Sequence, residues 1–432
     1  MAVYRVSGLD RYIPRIELSY TSYFVVVSGL CLIPALVIAL FALRDWWTEG
    51  RQPRGCRKLG LRGQSNIADE HDAKYDEGTE SDKKEPGKTT WRVKSLWIYP
   101  VKSCRGVELN RGTVVGTGMQ YDRQFSFAQL KTEEAAADWW KFITQREFPL
   151  LARVRTEVWV PDPSSSTYSP KEPFVQSGGA LVITFPFEED GWKGALQRLI
   201  ANFEGSEARR SITLPFNPTA DQIKANGYTM EKMKIWKDCP QALNMSASLP
   251  PELQHFIGVK GPFALFRVAQ GHERRVYKCA PKEEQLGYQP ITGFADSYPL
   301  SLMNLASVHD VAARLPEGVP RLSVSQYRPN IIITGPQKYP EDAWKLIRIG
   351  EFVYYVAART TRCMLPNTNQ VTGVAHPREP NITMKSFRCI DEGAKATACL
   401  GMQMVPALHE SRIKVGDVIE LLETGEHFAL KV

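Results

Sequence analysis

Cys363 lies in Ala358-Arg-Thr-Thr-Arg-Cys-Met-Leu-Pro-Asn-Thr-Asn-Gln-Val-Thr-Gly373, flanked by arginines and reached from a strand-like run, Leu346 to Ala357. A thiolate is the softest ligand a side chain offers, and guanidinium groups nearby both favour thiolate and bind phosphates. A metal or an anionic cofactor is the chemistry this pattern points to. Taken alone, a free cysteine is more often a small core hydrophobe. Three further polar clusters change that balance: Tyr99-Pro-Val-Lys-Ser-Cys-Arg-Gly106 brings Lys102, Ser103 and Arg105 just past a strand, Tyr121-Asp-Arg123 opens a second, and Arg328-Pro-Asn330 opens a third. Lysine, arginine and serine at loop tips combine charge with directed donors, which suits phosphate. Singly, Lys102 reads as a solvated lysine and Arg123 as a partner for Asp122 or another carboxylate.

The elements that must position these clusters are mostly strands. Residues 91–99 place Trp91, Val93, Trp97 and Tyr99 on one side of an extended chain, and Val154, Thr156, Val158 and Val160 alternate in the same way. Further strands are expected over 106–115, 123–130, 181–185, 330–334, 350–356 and 417–422. Asn304 can cap a helix carrying Val308, Val311, Ala312 and Leu315, and 194–203 forms a second. The mix predicts a β-rich, barrel-forming α+β fold. No internal repeat and no Gly-rich Rossmann or Walker loop is present.

Composition excludes several classes. Across 432 residues, 43% are apolar and 23% charged, as in ordinary globular chains, and a formal charge of +7 hints at anionic ligands without demanding nucleic acid. The eight cysteines form no C-x-x-C pair, so a reducing compartment is expected, and no H-x-x-x-H or H-E-x-x-H pair suggests zinc.

The N-terminal region reads differently. No charge occurs between Glu17 and Arg44, and a helix over Tyr23–Leu43 would be about 31 Å long, matching a bilayer core. An uncleaved anchor over 21–43 is expected, preceded by a short tail, 1–20, with a signal peptide as the runner-up. Arginines and Lys58 just after the span put the C-terminal bulk in the cytosol, leaving the sequons at Asn244 and Asn381 unmodified. Residues 44–90, rich in charge and lacking apolar periodicity, read as a disordered linker, with order beginning at Trp91.

Nine separated motifs then carry a resemblance: Y-P-V-K-S-C-R-G at 99–106, G-M-Q-Y-D-R at 118–123, T-Q-R-E-F-P at 144–149, D-C at 238–239 and A-D-S-Y-P at 295–299. They continue with R-P-N at 328–330, E-D-A-W at 341–344, R-C at 362–363 and I-K-V-G-D at 413–417. In this order they resemble the MOSC (molybdenum cofactor sulfurase C-terminal) domain proteins, specifically the mitochondrial amidoxime-reducing component family. The resemblance implies an N-terminal MOSC β-barrel region, 91–260, and a MOSC domain, 261–432, with molybdenum cofactor between them. It implies Cys363 as the thiolate on molybdenum and as the catalytic residue. Lys102, Ser103 and Arg123 would hold the pterin or its phosphate. Ser297, Tyr298, Arg328 and the backbone at Thr361 and Arg362 would complete the pocket, joined by Asp296, Asn330 and Gln403.

The activity implied is reduction of amidoximes, hydroxylamines and N-oxides, with electrons from NADH through cytochrome b5 reductase and cytochrome b5. The location implied is the outer mitochondrial membrane, facing the cytosol. No pyridoxal phosphate, haem or flavin is expected. A carrier of molybdenum cofactor or of sulfur, without turnover, is the alternative from another class. The chain departs from the family pattern in Met364–Asn369 after Cys363, in Leu400-Gly-Met-Gln403, and over 205–228, where no family match is recognised.

Overall fold

The computed structural model describes residues 28–30, 32, 52–78, 91–133, 136–203 and 205–429. Residues from Pro53 onward form one compact unit. Its largest sheet has eight strands, ordered Ile419–Thr424, Trp344–Ile349, Phe352–Thr361, Cys399–Pro406, Leu300–Asn304, Ile331–Thr334, Arg92–Ile98 and Val107–Leu109. The pair Leu300–Asn304 and Ile331–Thr334 is parallel, with Leu302 opposite Ile331. A parallel pair needs a crossover, and the helix Leu305–Ala313 lies within it. Asn304 caps that helix as its sequence predicts, its side chain accepting from the Ala306 N–H, while Leu305, Val308 and Val311 are buried.

A closed barrel is formed by Thr229–Lys234, Gln241–Asn244, Phe263–Val268, Phe125–Glu133 and Ala136–Phe142. Strands from both sides of residue 260 thus share this barrel, and strands from both sides share the eight-stranded sheet. The β-rich α+β expectation holds. Alternation along Arg92–Ile98 does not persist, because a bulge shifts the register between Ile332 and Ile333. Val93 is buried as the alternation predicts, whereas beyond the bulge Leu96 and Ile98 are at zero exposure and Trp97 is half-buried.

Two stretches are more structured than their composition suggests. Within the expected linker, Cys56–Lys58 pairs antiparallel with Arg155–Pro161. Glu70 accepts from Ser323 Oγ at 2.7 Å and from the Val324 N–H at 2.8 Å, and Asp69 pairs with Lys94 at 2.8 Å. Charges that carry no apolar periodicity thus act as specific partners, and order begins well before Trp91. In 205–228, Arg209–Pro215 pairs along its whole length with Ala180–Pro186, and the helix Ala220–Ala225 opens on a Thr219/Gln222 capping box.

The anchor expected over 21–43 is corrected. Among the described residues no helix is long and apolar enough to cross a membrane. Of the span itself only 28–30 and 32 are described; the remainder, with the 1–20 tail, lies outside the described residues. The single-pass topology, the outer mitochondrial location and the bilayer as a partner had that helix as their physical basis and fall with it. Cytochrome b5 and its reductase, which the family resemblance implies as electron donors, are corrected as well: nothing among the described residues supports either partner.

Candidate functional site

A cavity of about 1470 Å³ is lined by all twelve residues singled out from the sequence, Cys363 included, while Arg105 lies outside its lining. That volume exceeds an ordinary small-molecule pocket and has room for two ligands. The walls are made where strands end. Cys363 follows Phe352–Thr361, and Lys102 and Ser103 follow Arg92–Ile98.

Backbone strain concentrates here. Six described non-glycine residues have positive φ, and four of them line the cavity: Ser103 at 65°, Arg123 at 46°, Trp236 at 53° and Arg328 at 54°. Such conformations cost about 1–3 kcal/mol each and persist where surrounding packing fixes a functional geometry.

Tyr99 organises one wall. Its ring lies 4.3 Å from the Arg123 guanidinium and 4.2 Å from that of Arg328, and its hydroxyl donates to Pro329 O. Burial pushes the Tyr99 phenol up to about 12, against the pull of both arginines. Arg123 donates to Asp122 at 2.6 Å and to Arg328 O at 2.9 Å, so its sequence reading as a partner of Asp122 is realised. Arg328 is 6% exposed and gives Nη1 to Gln370, while its Nη2 has no partner. Burial lowers its guanidinium to about 10.

Arg362, 8% exposed, repeats the pattern. Nε donates to Leu400 O at 2.7 Å and Nη1 to Tyr327 O at 3.2 Å, leaving Nη2 unpartnered. Gly401, at φ +74°, lets the backbone pass: a Cβ there would meet Leu302 O at 2.5 Å and Arg362 Nη2 at 3.2 Å. Buried donors are almost always satisfied, so the unpartnered Nη2 of each of these two cavity-lining arginines stands out.

Lys102 Nζ donates to Asp296 at 2.5 Å and to Phe294 O at 2.9 Å. Burial pulls its ammonium below the usual lysine value, opposed by Asp296. Asp296 is crowded by the cavity walls, which favours protonation, but Lys102 outweighs this and holds the carboxyl at about 2; its side chain nonetheless remains 59% exposed. Asp296 is therefore ionised near neutral pH.

The remaining expected residues divide by what their side chains are free to do. Asn330 is spent within the fold, its Nδ2 donating to Trp97 O and its Oδ1 accepting from Ser301. The Tyr298 hydroxyl accepts from the Cys279 N–H at 3.3 Å. Ser297 and Gln403 are half-buried, Thr361 and Cys363 exposed. The Cys363 sulfur accepts from the Leu365 N–H at 3.4 Å.

Sequence reasoning missed Gln145, Gln370, Trp236 and Arg274. Gln145 sits in the quoted T-Q-R-E-F-P motif, and Arg274 clasps Asp238, itself in the quoted D-C motif, at 2.6 Å. Gln370 and Trp236 carry no local signal, because their partners are distant in the chain.

Among the described residues no group of three or more His, Cys, Asp or Glu could hold a metal. Cys363 offers one soft ligand, so a metal bound through it must bring most of its ligands with it. A phosphate-bearing organic ligand suits the orphaned arginines beside it.

The structure is thus a β-rich α+β fold with a closed barrel and a basic cavity whose lining includes one cysteine, the exposed Cys363. Residues 290–420 match the MOSC domain and residues 90–170 the MOSC N-terminal beta barrel domain. The chain is 33% identical over 305 residues to the mitochondrial amidoxime reducing component 2 of Macaca fascicularis, covering 69% of this chain and 73% of the relative. It is 23% identical over 338 residues to the mitochondrial amidoxime-reducing component 1 of Mus musculus, covering 76% and 82%. To the molybdenum cofactor sulfurase of Oryza sativa subsp. japonica it is 24% identical over 303 residues, covering 68% of this chain and 31% of the relative. The chain belongs to the MOSC domain family that includes the amidoxime-reducing components and molybdenum cofactor sulfurase.

Proposed function

We propose that the chain is a molybdenum-cofactor-dependent oxidoreductase that reduces the N–O bond of N-hydroxylated compounds of the amidoxime type. The observation that carries this reading is the exposed Cys363 thiol in a cavity whose lining includes the buried residues Arg328 and Arg362, each keeping one unpartnered Nη2. Cys363 would be the protein's ligand to molybdenum. Arg328 and Arg362 would hold the cofactor's phosphate or pterin edge, with Arg123 and Ser103 beside them. When bound, the group supplies two-electron redox chemistry, which no side chain of the cavity provides.

The remaining tasks fall to this chain's residues. Cleaving the N–O bond consumes two electrons and two protons and releases water. Asp296 keeps the Lys102 ammonium in place, and Lys102 Nζ is the protonated group the pair holds at the cavity wall. Tyr99 packs its ring against the guanidinium groups of both Arg123 and Arg328. The test is reduction of benzamidoxime by cofactor-loaded protein with an artificial low-potential donor. Turnover that disappears in Cys363→Ser supports the reading, and a loaded protein that never turns over contradicts it.

A further inference from the structure

The charge of the cavity exceeds what the proposed cofactor uses. Ten lysines and arginines line it against two carboxylates, Asp238 and Asp296, an excess of eight. The whole chain carries a formal charge of only +7, so this one cavity holds the protein's entire net charge and the remainder is close to neutral. Both carboxylates are engaged, Asp238 by Arg274 and Asp296 by Lys102. A phosphate monoester brings a charge of about −1.5 to −2, which the two buried guanidinium groups match.

Left over is a rim. Arg146, Arg275, Lys278 and Lys385 are exposed cavity residues that form no ion pair with a carboxylate among the described residues. Trp236 lines the same cavity, 44% exposed, its Nε1 tied to Asp296 at 3.2 Å, the Arg146 guanidinium 5.2 Å from its ring and the Phe142 ring 5.1 Å away. A tethered flat ring among cations accepts a planar group by stacking while the charges take an anion. Like-signed charge lining a concave site also focuses its field outward and concentrates counter-ions there.

We infer that this cavity selects N-hydroxylated substrates that carry an anionic group, a carboxylate or a phosphate, on a planar framework. The rim binds the anion and Trp236 the ring, which leaves the N–O end to the Cys363 wall. This inference rests on the reductase reading above and adds the substrate class to it.

The experiment uses cofactor-loaded full chain, an artificial donor, and three substrates alike in shape: benzamidoxime, its 4-carboxy derivative and its 4-trimethylammonio derivative. At low ionic strength kcat/KM should rank carboxylate over neutral over cation, with about tenfold between the first two, and the gap should close in about 0.5 M salt. The triple variant Arg275→Ala, Lys278→Ala, Lys385→Ala should lose most of the carboxylate's advantage. A calorimetric titration with unreactive 4-carboxybenzamide against benzamide reads the same preference without turnover, and a phosphate-bearing analogue distinguishes the two anions. Equal kcat/KM and equal binding across the series, in a protein that reduces benzamidoxime, overturn the inference and leave the reductase standing. If no amidoxime is reduced, the reductase reading fails, and the titration still reports whether the rim binds anions.

Discussion

The side-chain amides of Gln145 and Gln370 donate to each other, at 3.1 Å from Gln145 and 2.8 Å from Gln370. Gln145 also donates to Ser103 O, and Gln370 accepts from Arg328. The loop after Cys363, whose sequence departs from the family pattern, is thereby fastened to the two wall segments that carry Ser103 and Arg328. Gln370→Ala should raise KM several-fold while lowering stability by only about 1 kcal/mol, the usual net worth of such hydrogen bonds. Steady-state kinetics beside a urea titration checks this; an unchanged KM would show that the clasp does not set the loop.

Arg328 and Arg362 should separate on substitution. Arg328 gives one hydrogen bond to another side chain, whereas Arg362 satisfies two buried carbonyls. Arg328→Lys should lower pterin occupancy with little change in Tm. Arg362→Ala should lower occupancy and also destabilise by about 3 kcal/mol, because Leu400 O and Tyr327 O lose charged donors. Equal stability losses in the two variants would contradict the assignment.

Glu341 supplies a pH dependence remote from the cavity. It is fully buried, accepting from Ser307 Oγ and Asn304 Nδ2, and burial with Asp342 beside it raises its carboxyl from 4.5 to about 7. The folded state therefore binds this proton more tightly than the unfolded state. Its contribution is complete below about pH 4.5 and is lost as pH rises through 7, by about 3 kcal/mol in all. Glu341→Gln should flatten the fall in stability between pH 5 and 8, measured as the urea midpoint of variant against parent. An identical fall in both would sink the assignment.

The segment 52–78 should stabilise the site from outside it. Glu70 receives Ser323 Oγ and the Val324 N–H, at the start of the 3-10 helix Val324–Tyr327 that leads into Arg328. Glu70→Ala should cost about 2 kcal/mol, and a fragment beginning at Trp91 should melt below one beginning at Gln52. Matching melting curves for the two fragments would show the segment to be an ornament of the surface.

Much of this was legible in the chain because the signals are local. The Asn304 cap, the strand periodicities and the polar clusters at strand ends each occupy a few consecutive residues, and all twelve expected site residues meet in one cavity. What the sequence hid depends on distant partners. Glu70 reads as linker charge until Val324 is beside it, Gln370 reads as loop until Gln145 faces it, and the bulge opposite Ile332 and Ile333 turns Leu96 inward against the alternation. The expected anchor rested on apolar length alone, which no described helix bears out.

The most direct test of the central claim is the molybdenum and pterin content of the purified chain, made in cells that synthesise the cofactor, beside that of Cys363→Ser. Cys363 is exposed and its sulfur accepts a hydrogen bond from the Leu365 N–H, so the substitution should leave the melting temperature nearly unchanged. Near-stoichiometric molybdenum in the parent, with metal lost from the variant at equal stability, is the predicted result. A well-folded parent without molybdenum, or a variant that keeps its metal in full, would contradict the account.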